Sequence, residues 1–385
     1  MKALSEAILN LPKSGIRVLQ DAAREVPDCI RLETGEPNFK TPDNICKAAV
    51  KAMEDGFTKY TAVPGVMTLR KAITGQLKDD LGINVTEEEV VVTGGATMAL
   101  QITLGSIGNP GDEILVPDPC WPVYVMQVES NHMVPVPYTM AASHGFQPTR
   151  EDIESKITNH TKAIMVNTPS NPTGAVFSRE TCEMIMEIAE KYDLYIISDE
   201  IYSYLIYEGS HTSLKAMDRD GRVILISGAS KRYAMTGWRI GFAAASPEIT
   251  ALMNQLMVAV MGNATAIAQK AYEAAITGSQ DFVEYSIKDY KKRRDAAMAI
   301  FDDEGVGYYK PQGAFYIMVD TECCGMDSME FALGLLKEEH VSVAPGGTFG
   351  DSAKNMIRIS YGTEMNDLCE GVRRICKYIK RHSVK

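Results

Sequence analysis

Between about residue 45 and residue 280 short apolar runs alternate with helical patterns, and this alternation restricts the fold more than any other feature of the chain. The strand candidates are Glu89–Thr93, Glu113–Pro117, Met133–Val136, Lys162–Asn167, Leu194–Ser198, Arg222–Ser227 and Trp238–Ala244. Most are unbroken apolar runs, the pattern of strands covered on both faces. Helical stretches such as Thr97–Ile107 and Arg179–Lys191 lie between them. Ser178 precedes the second, and its hydroxyl can cap the first turn. The order predicts an α/β fold, with a mostly parallel sheet sandwiched by helices.

After about residue 280 the pattern changes. A long charged helix over Gln280–Glu304 leads to glycine-punctuated strands at Phe315–Asp320, Val341–Ala344 and Met356–Tyr361, then to a basic helix. A smaller α+β unit fits that order. The expected division is a large domain over 45–280 and a small one from 1–44 plus 281–385, with the Pro37 and Pro42 segment packed beside it.

The formal charge of −11 argues against a nucleic-acid footprint or a polybasic membrane surface. No apolar run approaches bilayer length, and Met1 to Leu11 lacks the pattern of a signal peptide. A cytoplasmic location is therefore expected. The eight cysteines include no CxxC pair and the six histidines are scattered, so reduced thiols and no bound metal are expected.

Open α/β sheets bind ligands outside the carboxyl ends of their strands. The residues just past those ends are Gly94 to Thr97, Asp118 to Trp121, Asn167 to Gly174, Asp199 to Tyr202 and Ser227 to Lys231. A Gly-Gly turn opening a helix leaves backbone N–H groups free for a phosphate, although the same pair also makes plain turns. Asp199, ending a buried run, needs a cation, a strong donor or a capping role. Lys231 stands among Ser230, small residues and Arg239; desolvation and a nearby guanidinium favour a neutral amine, competent toward a carbonyl.

Taken together, these residues resemble the class I aminotransferases of the aspartate aminotransferase family, enzymes of pyridoxal-phosphate fold type I. The resemblance rests on "TGEPNF" (34–39), "YTAVPGVMTLR" (60–70), "GGATMAL" (94–100), "DPCWPVY" (118–124), "NPTG" (171–174), "SDEIYSYL" (198–205), "SGASKRYAMTGWRIGF" (227–242) and "IRISYG" (357–362). They run in the family's order from about residue 30 to 380.

The resemblance implies pyridoxal 5′-phosphate as cofactor, held covalently by Lys231, which then shuttles the substrate proton. It implies that Asp199 holds the proton on the ring nitrogen, that Tyr202 and Asn171 donate to the ring oxygen, and that Trp121 stacks on the ring. The phosphate falls to Gly95, Ala96, Thr97, Ser230 and Arg239, with Tyr60 reaching across from a second subunit of a homodimer. Arg358, helped by the backbone of Gly35 and beside Trp121 and Asn171, takes the substrate carboxylate.

Three positions depart from the pattern. Gly228 stands where many relatives have a serine, so one phosphate contact is missing or replaced. Thr97 stands where a dicarboxylate-preferring subgroup has lysine. The stretch "VMGNATAIAQ" (260–269) is unlike the Thr/Ser-rich segment of relatives. The implied reaction is ping-pong amino transfer between an L-amino acid of aspartate, aromatic or alanine type and a 2-oxo acid, with 2-oxoglutarate the expected acceptor. A β-lyase or an aminocyclopropane-carboxylate synthase-like lyase is the alternative on the same fold. A regulator bearing such a domain is disfavoured by the acidic charge and the absence of a winged-helix segment.

Overall fold

The computed structural model describes residues 4–9, 11, 12 and 15–384. Its strands are β1 (Ile30–Arg31), β2 (Val90–Thr93), β3 (Glu113–Asp118), β4 (Val134–Thr139), β5 (Thr161–Asn167), β6 (Tyr195–Asp199), β7 (Val223–Gly228), β8 (Gly241–Ala244), β9 (Tyr308–Tyr309), β10 (Tyr316–Asp320), β11 (Val341–Ser342), β12 (Ala344–Pro345) and β13 (Met356–Ser360). Seven of them form one sheet in the order β2-β8-β7-β6-β5-β3-β4. Every neighbouring pair is parallel except the two that involve β8.

The unbroken apolar runs are explained by cover on both faces. Ile114 and Val116 of β3 join one buried cluster with Met165 and Ile197, whereas Leu115 joins another with Ile164, Val166 and Ile196. Successive side chains of a strand point to opposite faces, and here both faces are dry. The Arg179–Lys191 helix begins as expected: the Ser178 hydroxyl accepts from the Thr181 amide at 3.1 Å. Its buried Cys182, Ile185, Met186 and Ala189 keep helical spacing and form the face turned to the sheet.

Two sequence expectations shift. The run 238–244 supplies a strand only from Gly241, because a short helix occupies Thr236–Trp238 and Arg239 adopts φ 51°. The run 341–344 splits between two sheets. β11 pairs with β1 in parallel, drawing the N-terminal segment in, and β12 pairs with β13 inside the order β12-β13-β10-β9. Neither β9 nor the helix Gly15–Arg24 is marked by any sequence pattern considered above.

Candidate active site

The antiparallel strand β8 decides which residues meet. β2 runs antiparallel to β8, and β8 antiparallel to β7, so β2 and β7 point the same way and their carboxyl ends share an edge with β5 and β6. β8 enters the sheet at that edge, its Gly241 paired with both Thr93 and Gly228. Arg239, two residues before β8, is thereby delivered to the strand-end side.

A cavity of about 340 Å3 opens there. Its lining brings together Gly35, Ala96, Thr97, Trp121, Asn171, Asp199, Tyr202, Ser230, Lys231, Arg239 and Arg358, residues singled out in the sequence. Gly95 stands behind it, where a Cβ would lie 2.8 Å from Arg239 Nη2. Tyr60 is not among the lining residues: it is 95% exposed, beside Met261 and Asn263 on the outside.

One end of the cavity is built from backbone. Gly95 caps the helix Ala96–Ile107 with φ 95° and ψ 165°, a conformation that belongs almost to glycine alone. Helix geometry leaves the first N–H groups without internal acceptors, with the positive dipole end behind them. The exposed Arg239 approaches this turn, its Nη1 donating to the Thr236 carbonyl at 3.0 Å. An anion with several oxygens suits such a cradle. At Gly228 the departure has a packing cause: a Cβ there would lie 2.7 Å from Gly241 Cα. The pairing of β7 with β8 leaves no room for a serine, and Ser230 is the hydroxyl that lines the cavity.

The middle holds two opposed charges. Asp199 is buried at the end of β6, and its partners are neutral: Tyr124 Oη donates to Oδ2 at 2.7 Å and the Ile201 amide to Oδ1 at 3.1 Å. Burial raises its pKa to about 6, against the pull of those two donors. Such a carboxylate fits a ligand that brings a protonated ring nitrogen. Lys231 Nζ donates to the Gly35 carbonyl at 2.6 Å. Desolvation lowers its pKa to about 8; Arg358 and Arg239 add to the shift, and Glu36 and Asp199 oppose it.

The other end is built from side chains. Buried Arg358 donates from Nη1 to Asn171 Oδ1 at 2.9 Å and from Nη2 to the Glu33 carbonyl at 2.5 Å. Its guanidinium lies 4.5 Å from the Tyr316 ring centre and 4.9 Å from that of Phe349. Nε, although buried, has no partner among the described residues. Burial pulls the Arg358 pKa down, but a guanidinium remains a cation in a protein. Because Asn171 Oδ1 faces Arg358, its amide nitrogen is left to donate elsewhere.

Sequence reasoning missed several contributors. Tyr124 ended a quoted motif and Asn167 opened a strand-end stretch, both without a role; Asn167 donates to the Asp199 carbonyl at 3.0 Å, and its Oδ1 accepts from the Asn171 amide at 2.8 Å. Tyr316, from β10, meets the Tyr202 hydroxyl at 2.7 Å. Ile16, Arg17 and Gln20 come from the unforeseen Gly15–Arg24 helix. Helical spacing through residues 15–24 is a signal that would have found the helix, though not what it packs against. Among the described residues no three metal-ligating side chains cluster, and no helix is long and apolar enough to cross a membrane.

Known proteins match this chain along its length. The family model described as aminotransferase class I and II matches residues 27–375. An aspartate aminotransferase of a Bacillus species is 39% identical over 362 residues, covering 92% of each chain. The aspartate/prephenate aminotransferase of Thermus thermophilus is 35% identical, covering 99% of this chain and all of its own. The solved alanine aminotransferase of Pyrococcus furiosus superposes with a TM-score of 0.94 at 35% identity, over 98% of this chain and 100% of that one.

Proposed function

The chain belongs to the class I and II aminotransferase family, a pyridoxal-phosphate-dependent enzyme that moves an amino group between an amino acid and a 2-oxo acid, and from that premise we propose how its residues divide the work. Bound pyridoxal 5′-phosphate supplies a carbonyl for amines and a protonated ring that draws electrons from the substrate Cα.

Lys231 is the amine that holds the cofactor. With a pKa near 8, a usable fraction is neutral at physiological pH. With cofactor and substrate bound, the same amine would take the proton from the substrate Cα and later give it back. Asp199 keeps the ring nitrogen protonated, and the ligand's cation relieves the cost of burying that carboxylate. Tyr202 and the Asn171 amide donate to the ring oxygen, while Trp121 covers a ring face. Gly95, Ala96, Thr97, Ser230 and Arg239 hold the phosphate. Arg358 grips the substrate α-carboxylate, with the Gly35 backbone beside it, and so orients the Cα–H bond.

Tyr60 completes the phosphate site of a second copy, which makes the working unit a homodimer; its outward position supports that reading. We read 45–280 as the large domain and 1–44 plus 281–385 as the small one, the enzyme as cytoplasmic, its kinetics as ping-pong and 2-oxoglutarate as the acceptor. Relatives named for aspartate and for alanine support two of the donor types.

One observation carries the assignment of roles: a lysine amine and a buried carboxylate that forms no ion pair among the described residues share a cavity with an anion cradle. Mixing the loaded enzyme with single amino acids tests it. Amino transfer converts the cofactor to its amine form, whereas a lyase releases pyruvate and ammonia. Borohydride reduction and peptide mapping should place the label on Lys231, and Lys231→Ala should lose at least about a thousandfold in turnover. A label elsewhere, or full activity in that variant, overturns the assignment.

A further inference from the structure

We infer that Arg17, with Gln20 one turn along the same helix, reads the side chain of the amino donor and selects donors that carry a second carboxylate. The inference rests on the aminotransferase reading above and deepens it by naming the substrate class.

The helix Gly15–Arg24 is two-sided. Leu19 and Ala23 bury into the core shared with β10 and β13, while Ile16, Arg17 and Gln20 line the cavity. Positions three and four apart share a helix face, so the polar pair is presented together. Its place is fixed by its first residue: a Cβ on Gly15 would lie 2.2 Å from Thr348 Oγ1. The turn Gly346–Thr348 follows β12, whose Ala344 pairs with Arg358, and Phe349 packs on the Arg358 guanidinium. The helix therefore lies over the Arg358 end, not over the phosphate cradle.

Of the charged side chains lining that end, Arg17 and Arg358 are cations and Glu33 is paired with Arg31. The Glu33 carboxylate is met by Arg31 at 2.6 Å and by Thr34 at 3.1 Å, and that of Glu36 by Thr236. Arg358 has one fork and one carboxylate to hold. A second guanidinium at the Arg358 end matches a second anion on the ligand. Neither Thr97 nor Trp121 brings charge to the lining. Arg17 is exposed at the mouth, so its side chain can swing onto a ligand without the desolvation cost that attends a buried charge.

The test is the amino-donor half-reaction of the loaded enzyme with aspartate and glutamate against alanine and phenylalanine. The wild-type enzyme should favour the dicarboxylic donors. Arg17→Met should lower the aspartate-to-alanine ratio of kcat/KM by about ten- to a hundredfold, the range of one charged hydrogen bond, chiefly through KM. Arg17→Lys, which keeps the charge but not the fork, should recover part of the ratio. A wild-type preference for neutral donors, or an unchanged ratio in Arg17→Met, overturns the inference while leaving the aminotransferase assignment intact. Failure of that assignment has another signature: no donor converts the wild-type cofactor, and the inference falls with it.

Discussion

At the Gly95 end of the cavity the groups that meet a ligand are mainly main-chain N–H groups at a helix start, set by strand ends of the seven-stranded sheet. At the Arg358 end they are side chains from four distant segments: Arg17, Asn171, Tyr316 and Arg358. The backbone end is fixed as soon as β2, β7 and β8 pair, because strand register determines where the turn lies. The side-chain end depends on a buried guanidinium held by Asn171 and the Glu33 carbonyl, and single substitutions can retune it. Such a division lets a donor preference change while the cofactor site stays the same.

The sharpest challenge to that division is Arg358→Leu. Removing one partner from a buried, hydrogen-bonded charge site costs about 2–5 kcal/mol. The KM for the amino donor should rise by roughly a hundredfold, with kcat/KM falling at least as far, because the fork also orients the Cα–H bond. Cofactor affinity should move far less. If it drops in parallel, the two ends are one unit and the comparison fails.

Between the ends, Asp199 separates function from stability. Its folded pKa, near 6, lies above the ordinary 3.8. The folded protein therefore binds this proton more tightly than the unfolded chain. The resulting stabilisation is full below about pH 3.8 and is lost as pH rises through 6. Two units correspond to about 3 kcal/mol in the ligand-free protein. Asp199→Asn keeps an acceptor for Tyr124 and removes the titration. Denaturant unfolding of the ligand-free variant at pH 7.5 should show a gain of up to about 3 kcal/mol that fades between pH 6 and pH 4. The loaded variant should lose that advantage together with its activity. A ligand-free variant no more stable than wild type at pH 7.5 would mean that the buried carboxylate is solvated after all.

The same division explains what was legible in the sequence. The continuous apolar runs gave the parallel sheet because burial on both faces leaves no polar alternation to mislead. The strand-end residues Gly95, Asp199 and Lys231 could be found because local chain order places them. Arg239 was legible as a cation near that edge, but the break of the 238–244 run was not, since it depends on φ 51° at Arg239 rather than on hydrophobicity. Tyr316 and Arg17 were hidden for another reason. Their roles depend on the packing of β10 and of an N-terminal helix against segments far away in the chain, and no local period encodes that contact. Arg358 was reached only through the resemblance; as a cation inside an apolar strand it otherwise signals burial without saying what it meets.

The smallest effect probes the backbone end alone. Gly95 holds φ 95° and ψ 165°, and an alanine there costs about 1–3 kcal/mol in backbone strain. The added Cβ would also stand 2.8 Å from Arg239 Nη2 and push that guanidinium off the turn. Both effects act on the phosphate cradle. Gly95→Ala should therefore raise the cofactor Kd by about tenfold, measured by equilibrium dialysis or by the spectrum of the reconstituted enzyme. With cofactor in excess, the KM for the amino donor should shift by a much smaller factor, because Arg358, Asn171 and the Gly15–Arg24 helix are anchored through other strands. An equal rise in both constants would show that a displacement at the cradle reaches Arg358 through Lys231, whose amine both arginines already push toward its neutral form.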